Sequence, residues 1–379
     1  MSTATHRAPL IDWTVVVPVV ALVALAFSWG RDLPTLAVAL VALCLAGAVL
    51  AAVHHAEVVA HRVGEPFGSL VLAVAVTVIE VALIVTLLAD GGDKTASLAR
   101  DTVFAAVMIT CNGIVGLSLL VGALRNRVAV FNAEGSGAAL ATVATLAVLS
   151  LVLPTFTTSK PGPEFSTAQL AFAATASLAL YGLFVAVQTV RHRDYFLPVD
   201  TKRIRKEAAQ AAAAAAAGEE DEHAEPPTAR AALISLGLLL VALVAVVGNA
   251  KAVSPTIERG VADLGLPYAV VGVIIALLVL APETLAAVRA ARRDRVQTSL
   301  NLAYGSAIAS IGLTIPAIAL ATVWLSGPLV LGLEPVHMVL LALTVVVGAL
   351  TIVPGRATLL QGGVHMVLLA AYLFLAVSP

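Results

Sequence analysis

Two glutamates sit where water does not reach. Glu80 is the only ionisable residue in the apolar stretch 66–89, and Glu283 lies inside the run VVGVIIALLVLAPETLAAV. A carboxylate at mid-bilayer costs about 2.5–3.5 kcal/mol on insertion scales, and such groups mark ion or proton pathways. A carboxyl taken out of water favours its protonated form, and a cation bound beside it favours the ionised form. Protons and cations therefore compete for one group. If the site faces one side of a membrane at a time, that competition couples cation movement one way to proton movement the other way. The plainer reading is a glutamate hydrogen-bonded to a neighbouring helix as packing glue, and two glutamates at matching positions weaken it.

Residues near both glutamates suit the same chemistry. Thr77 lies one turn before Glu80. Pro282 precedes Glu283 and removes the helix hydrogen bond to the Leu278 carbonyl. Gly272 and Ala276 make a small-xxx-small stripe that lets another helix approach. The next stretch after Glu80 holds Thr110, Asn112, Gly113, Gly116 and Ser118, and the next after Glu283 holds Asn301, Gly305, Ser306, Ser310, Gly312, Thr314 and Pro316. Amide, hydroxyl and freed carbonyl oxygens are the ligands a hard cation takes. The candidate cation- and proton-binding set is Glu80, Glu283, Asn112, Ser306, Thr77 and Ser310, with Glu80 and Glu283 as the charged metal ligands. Small polar residues also serve as ordinary helix packing.

These residues need a membrane scaffold. The chain is 60% hydrophobic and 12% charged, with mean hydropathy +1.00. Repeated apolar runs of about 20 residues predict an all-α integral membrane protein. Eleven transmembrane helices are predicted near 10–29, 34–60, 66–89, 101–124, 138–157, 166–190, 231–252, 267–289, 297–325, 329–350 and 356–377. The first run lacks a small-residue cleavage site and is followed by further spans, unlike a signal peptide.

One long polar connection divides the chain: 1–33 is a tail and leading helix, 34–190 five spans, 191–230 an acidic linker, and 231–379 five more. Five is odd, so two related halves must run in opposite senses, the inverted-repeat plan of many secondary transporters. Each glutamate is in the second helix of its half, roughly 20–25 Å along from its entry proline at about 1.5 Å per residue. Sixteen of the 22 Lys and Arg fall on one set of loops; the other six are Arg31, Lys94, Arg100, Lys160, Lys251 and Arg259. The bias places the N-terminus and the linker in the cytoplasm and the C-terminus outside.

Other features are less specific. His54, Glu57 and His61 share a helical face, with His55 beside them. They fit a proton relay or pH sensor, a zinc site, or a solvated face. Cys44 and Cys111 both fall in predicted spans and read as small packing residues. No HExxH or GxSxG motif stands in a span, so an enzyme is not expected, and a channel would not need inverted halves.

The stretch AEVVAHRVGEPFGSLVLAVAVTVIEVALIV, residues 56–85, resembles the first alpha repeat of the calcium/cation antiporter superfamily. The match is to its cation/proton exchanger branch, closest to the bacterial ChaA-type calcium/sodium:proton antiporters. Ala56-Glu57, the turn from Gly64 to Gly68 and Glu80 follow the family order. Pro282-Glu283 resembles the second repeat's acidic motif, Asn112 stands where the family has Ser-Asn, and Gly305-Ser306 where it has Gly-Ser. Val78-Ile79 replaces a frequent Gly-Asn, and Ser310 stands where the family has glutamine. The resemblance implies a secondary active antiporter that exports Ca2+, with Na+ and K+ as further candidate cargo, in exchange for H+ across a bacterial inner membrane. A Na+ or K+/H+ antiporter with little Ca2+ transport is the alternative. No resident cofactor is implied. The partners are inorganic cations, protons and the lipid bilayer, not nucleic acid, and homo-oligomerisation stays open.

Overall fold

In lipid every backbone N–H and C=O must find its partner within the segment, so long apolar runs become helices. The computed structural model describes residues 12–31, 33–64, 67–89, 96–199, 227–324 and 327–379. Among them are eleven long helices: α1 Trp13–Ser28, α2 Thr35–Val63, α3 Phe67–Ala89, α4 Leu98–Asn126, α5 Ala133–Phe156, α6 Thr167–Arg191, α7 Ala229–Asp263, α8 Ala269–Arg292, α9 Val296–Ala321, α10 Pro335–Ile352 and α11 Leu359–Val377. Nine are long and apolar enough to cross a bilayer, and α1 and the described part of α3 are shorter apolar helices. The protein is an all-α membrane protein. The turn at Glu65 and Pro66 and the acidic linker over 200–226 lie outside the described residues.

Hydrogen bonds between loops sort the helix ends. At one end a short antiparallel pair joins β1 (Ala129–Val130) to β2 (Arg356–Ala357). There the Arg125 guanidinium donates to the Arg292 carbonyl, Gln297 accepts from the Asn132 N–H, and Asn301 donates to the Phe196 carbonyl. At the other end the chain 327–334 runs extended: Val330 N–H donates to Ala96, Gly332 to Pro163 and Leu333 to Leu151. The loops after α4, α6, α8 and α10 thus share one end, and those after α3, α5 and α9 share the other. Helices α4, α5, α6, α9 and α10 therefore each run from one end to the other.

Several helix boundaries differ from the sequence reading: α5 begins at Ala133, not 138, α9 ends at Ala321, not 325, and α7 and α10 differ most. Helix α7 was expected to stop at 252 and continues to Asp263 through Pro255. Hydropathy falls at Lys251, but Ser254 donates to Glu258 and Arg259 to the Pro255 carbonyl, which sustains the polar end. Its 35 residues span about 52 Å at about 1.5 Å each, beyond a hydrocarbon core of about 30 Å. Helix α10 begins at Pro335, not 329, because the preceding backbone is committed to the loop bonds above.

The packing makes two apolar cores. One is built from α4, α5, α6, α9, α10 and α11, and the other from α1, α2, α3 and α7. Helix α8 serves both: Val273, Ala276, Leu280 and Ala287 face the first, and Val270, Val271, Ile275 and Val279 the second. Gly272 makes this possible, since a Cβ there would lie 3.0 Å from the Thr102 N of α4. Helix α3 lies against α2, α7 and α9. The two glutamate-bearing helices therefore stand at the seam between the cores.

Candidate functional site

Helix α9 brings the two carboxyls together. Ser306 and Ser310 are one turn apart on it. Ser306 Oγ donates to Glu283 Oε1 at 3.1 Å, and Ser310 Oγ donates to Glu80 Oε1 at 2.5 Å. Glu80 and Glu283 are 4% and 7% exposed, and Glu283 feels the charge of Glu80. Oε2 of Glu283 is buried without a hydrogen-bond partner among the described residues. An oxygen in that position either carries a proton or awaits a positive partner, because burying it bare is costly. Thr77 is buried one turn before Glu80.

The arrangement can do what the two isolated carboxyls could not. Two acids held on one helix face by hydroxyl donors form a charged pair when ionised. That pair needs a cation, and when neutral it needs none. Pro282 sits inside α8, which runs unbroken past it to Arg292.

Asn112 is placed differently. It lies in a π-helical turn of α4, Ile109–Ile114, where the Val115 N–H reaches the Thr110 carbonyl five residues back. Such turns insert one residue and recur at functional sites. The Thr110 hydroxyl bonds its own helix, to the carbonyls of Ala106 and Val107. Asn112 Nδ2 donates to Thr344 Oγ1 of α10 at 2.9 Å, and Oδ1 lies 3.1 Å from His365 Nδ1 of α11. The hydrogen bonds of Asn112 thus run to α10, to α11 and to Met108 of its own helix, and not to the glutamates. Sequence reasoning missed His365 and Thr344. The signal was present: a lone histidine in the middle of the last apolar run is as conspicuous as a lone glutamate.

The histidine group on α2 divides. His54 and Glu57 are half-buried and His61 is exposed. His54 lies against Trp13, with ring centroids 6.3 Å apart. Among the described residues no three metal-ligating side chains gather, so the zinc reading has no geometric support. His55, left out of the expected relay, is buried and its Nε2 donates to the Thr14 carbonyl at 2.8 Å. Pro18 has no N–H to give that carbonyl, so His55 replaces the bond α1 lacks. Cys44 and Cys111 are free thiols.

Several known proteins are similar to this chain. It is 43% identical over 374 residues to the putative ionic transporter y4hA of Sinorhizobium fredii, covering 97% of this chain and 96% of that protein. It is 34% identical over 366 residues to the sodium-potassium/proton antiporter ChaA of Escherichia coli, covering 96% and 95%. The fold matches the crystal structure of the H+/Ca2+ exchanger CAX with a TM-score of 0.66 at 14% identity, over 95% of this chain and 86% of that one. The family model described as sodium/calcium exchanger protein matches residues 33–190 and 234–378. The chain belongs to the sodium/calcium exchanger protein family, within the calcium/cation antiporter superfamily.

Proposed function

We propose that the protein is a secondary active antiporter that exports Ca2+, with Na+ and K+ as further candidate cargo, in exchange for H+. Glu80 and Glu283 bind the cation when ionised and protons when neutral. One observation carries this reading: two buried carboxyls are tied to adjacent turns of α9 by Ser310 and Ser306. Thr77 and carbonyls beside it complete the shell, and Asn112 joins through its carboxamide oxygen.

The scaffold is read as a leading helix and two inverted five-helix repeats, α2–α6 and α7–α11. Packing supports this. The first helices of the halves, α2 and α7, lie together; α3 packs on α9 as α8 packs on α4; and α4 packs on α11 as α9 packs on α6. Access alternates by movement of the α1–α2–α7 layer against the first core, across the seam where α3 and α8 stand. The basic residues place the loops after α4, α6, α8 and α10 in the cytoplasm of a bacterium, with the N-terminus inside and the C-terminus outside.

A second reading, Na+ or K+/H+ exchange with little Ca2+ transport, has its own support. The two carboxyls and two serine hydroxyls offer six oxygens, the low end of what calcium takes, and ChaA is named for sodium and potassium. Everted vesicles energised by respiration, with Ca2+, Na+, K+ and Mg2+ added in turn, separate the two. Collapse of the pH gradient by Ca2+, lost in Glu80→Gln and in Glu283→Gln, is expected. Collapse by Na+ or K+ alone selects the second reading. Proton-coupled cation transport retained in both variants would falsify the shared-carboxyl mechanism.

A further inference from the structure

We propose that His365 is a positioning residue of the exchange site, which fixes the orientation of the Asn112 carboxamide in the π-turn of α4. This rests on the reading of Asn112 as a cation ligand.

The four side chains of this cluster are closed to solvent: Asn112 is 0%, His365 1%, Thr344 2% and Thr351 3% exposed. Their hydrogen atoms can be followed in order. Thr344 Oγ1 donates to Met108 Sδ at 3.6 Å, so its one hydrogen is committed. Towards Asn112 it can then only accept, which makes the facing atom the amide nitrogen, at 2.9 Å. Met108 Sδ also accepts from that nitrogen at 3.8 Å. The carboxamide oxygen therefore faces His365, whose Nδ1 must carry the hydrogen of their 3.1 Å contact. A neutral imidazole has then only an acceptor left at Nε2, and Thr351 Oγ1 donates to it at 3.2 Å. Every member has a partner, and one polarity runs through the chain.

That polarity matters to a cation. An asparagine amide presents either an oxygen, which a cation binds, or an NH2, which repels it. Both hydrogens of the Asn112 nitrogen are drawn to Thr344 and Met108, while the oxygen accepts one bond from His365 and keeps a second lone pair. The cluster thus commits the donor end to Thr344 and Met108 and fixes the acceptor end beside His365.

The backbone holds the arrangement in place. Helices α4 and α11 approach so closely that a Cβ on Gly116 would lie 2.9 Å from the His365 Cβ and 3.1 Å from the Gly362 carbonyl. A Cβ on Gly362 would lie 2.9 Å from the Leu120 N. The imidazole cannot swing away, and no water is at hand in the bilayer to replace it.

The test is cation-dependent proton flux in reconstituted liposomes, read as the half-saturating cation concentration, for His365→Leu, His365→Asn, Asn112→Ala and the double variant His365→Leu/Asn112→Ala. Asparagine keeps a donor near the Nδ1 position. His365→Leu is expected to raise half-saturation about tenfold, which corresponds to about 1.4 kcal/mol. His365→Asn is expected to recover most of that loss, and His365→Leu to add nothing once Asn112 is alanine. Multiplied effects in the double variant, or no recovery by asparagine, overturn the positioning role while Asn112→Ala keeps its own effect. An unchanged Asn112→Ala removes the ligand reading and this inference together. If His365→Leu is not recovered as a monodisperse protein, Thr344→Val carries the same expectation by freeing the amide nitrogen, and an unchanged half-saturation there overturns the proposal.

Discussion

Ser310 and Ser306 hold the two carboxyls unequally, and the difference sets a ranked prediction. The Ser310–Glu80 bond is 2.5 Å long, with Ser310 1% and Glu80 4% exposed. The Ser306–Glu283 bond is 3.1 Å and Ser306 is half-buried. Short buried bonds to a charged group contribute about 1.5–3 kcal/mol, and ordinary ones about 0.5–1.5 kcal/mol. A tenfold change in binding corresponds to about 1.4 kcal/mol. Ser310→Ala is therefore expected to raise half-saturation by the cation about 10- to 100-fold, and Ser306→Ala by about 2- to 10-fold. Ser310→Thr, which keeps the hydroxyl, should stay near the parent protein. The assay is proton efflux from liposomes carrying an internal pH dye, at a fixed pH and a series of cation concentrations. A larger loss in Ser306→Ala than in Ser310→Ala would refute the reasoning, as would a Ser310→Ala half-saturation within about twofold of the parent.

Three further outcomes follow from other contacts. Gly272→Val should push α8 off the Thr102 backbone of α4, cost about 1–3 kcal/mol by overpacking and lower both the melting temperature and transport, whereas Gly260→Ala, with open space at its Cβ, should leave both unchanged. His55→Leu should strand the Thr14 carbonyl at a cost of about 1–3 kcal/mol, and Pro18→Ala should rescue it by restoring the helical N–H; thermal unfolding in detergent reads both. Arg100→Leu should remove the charged partner of buried Asp101, 2.7 Å away, and leave it only the Ser97 hydroxyl, which should destabilise by about 3–5 kcal/mol; a melting temperature equal to the parent's would contradict it.

The scaffold was legible because lipid removes choices. A run of apolar residues in a bilayer has no state but helix, so eleven helices appear where hydropathy places them. Boundaries failed where polar residues sustain a helix past its apolar run, as Lys251 to Asp263 do in α7, and where loop hydrogen bonds hold an apolar segment out of the helix, as they do before Pro335 in α10. Glu80, Glu283, Ser306 and Ser310 were legible because an ionisable or hydroxyl side chain deep in a span has few explanations. Asn112 was legible as a polar residue, but its partners were not. They come from α10 and α11, more than 200 positions away in the chain. Periodicity fixes which residues share a face of one helix, and it is silent on which helix lies opposite.

The same logic explains why the site is lopsided. An inverted repeat with one glutamate in each half leads to the expectation that α4 serves one carboxyl and α9 the other. Instead α9 supplies a donor to both, and the polar residue of α4 is bonded to α10 and α11. A symmetric pair of donors would stabilise two ionised carboxyls equally, with no cation bound. One oxygen of Glu283 stays buried and unpartnered among the described residues, and an ionised, empty site is then costly. An exchanger needs that cost. If the empty, doubly ionised site were comfortable, it could cross between the two faces without cargo and the coupling of cation to proton would leak. On the proposed shared-carboxyl mechanism the asymmetry makes a cation or a proton the condition for a stable site, and a second donor placed against Glu283 Oε2 should loosen coupling rather than improve binding.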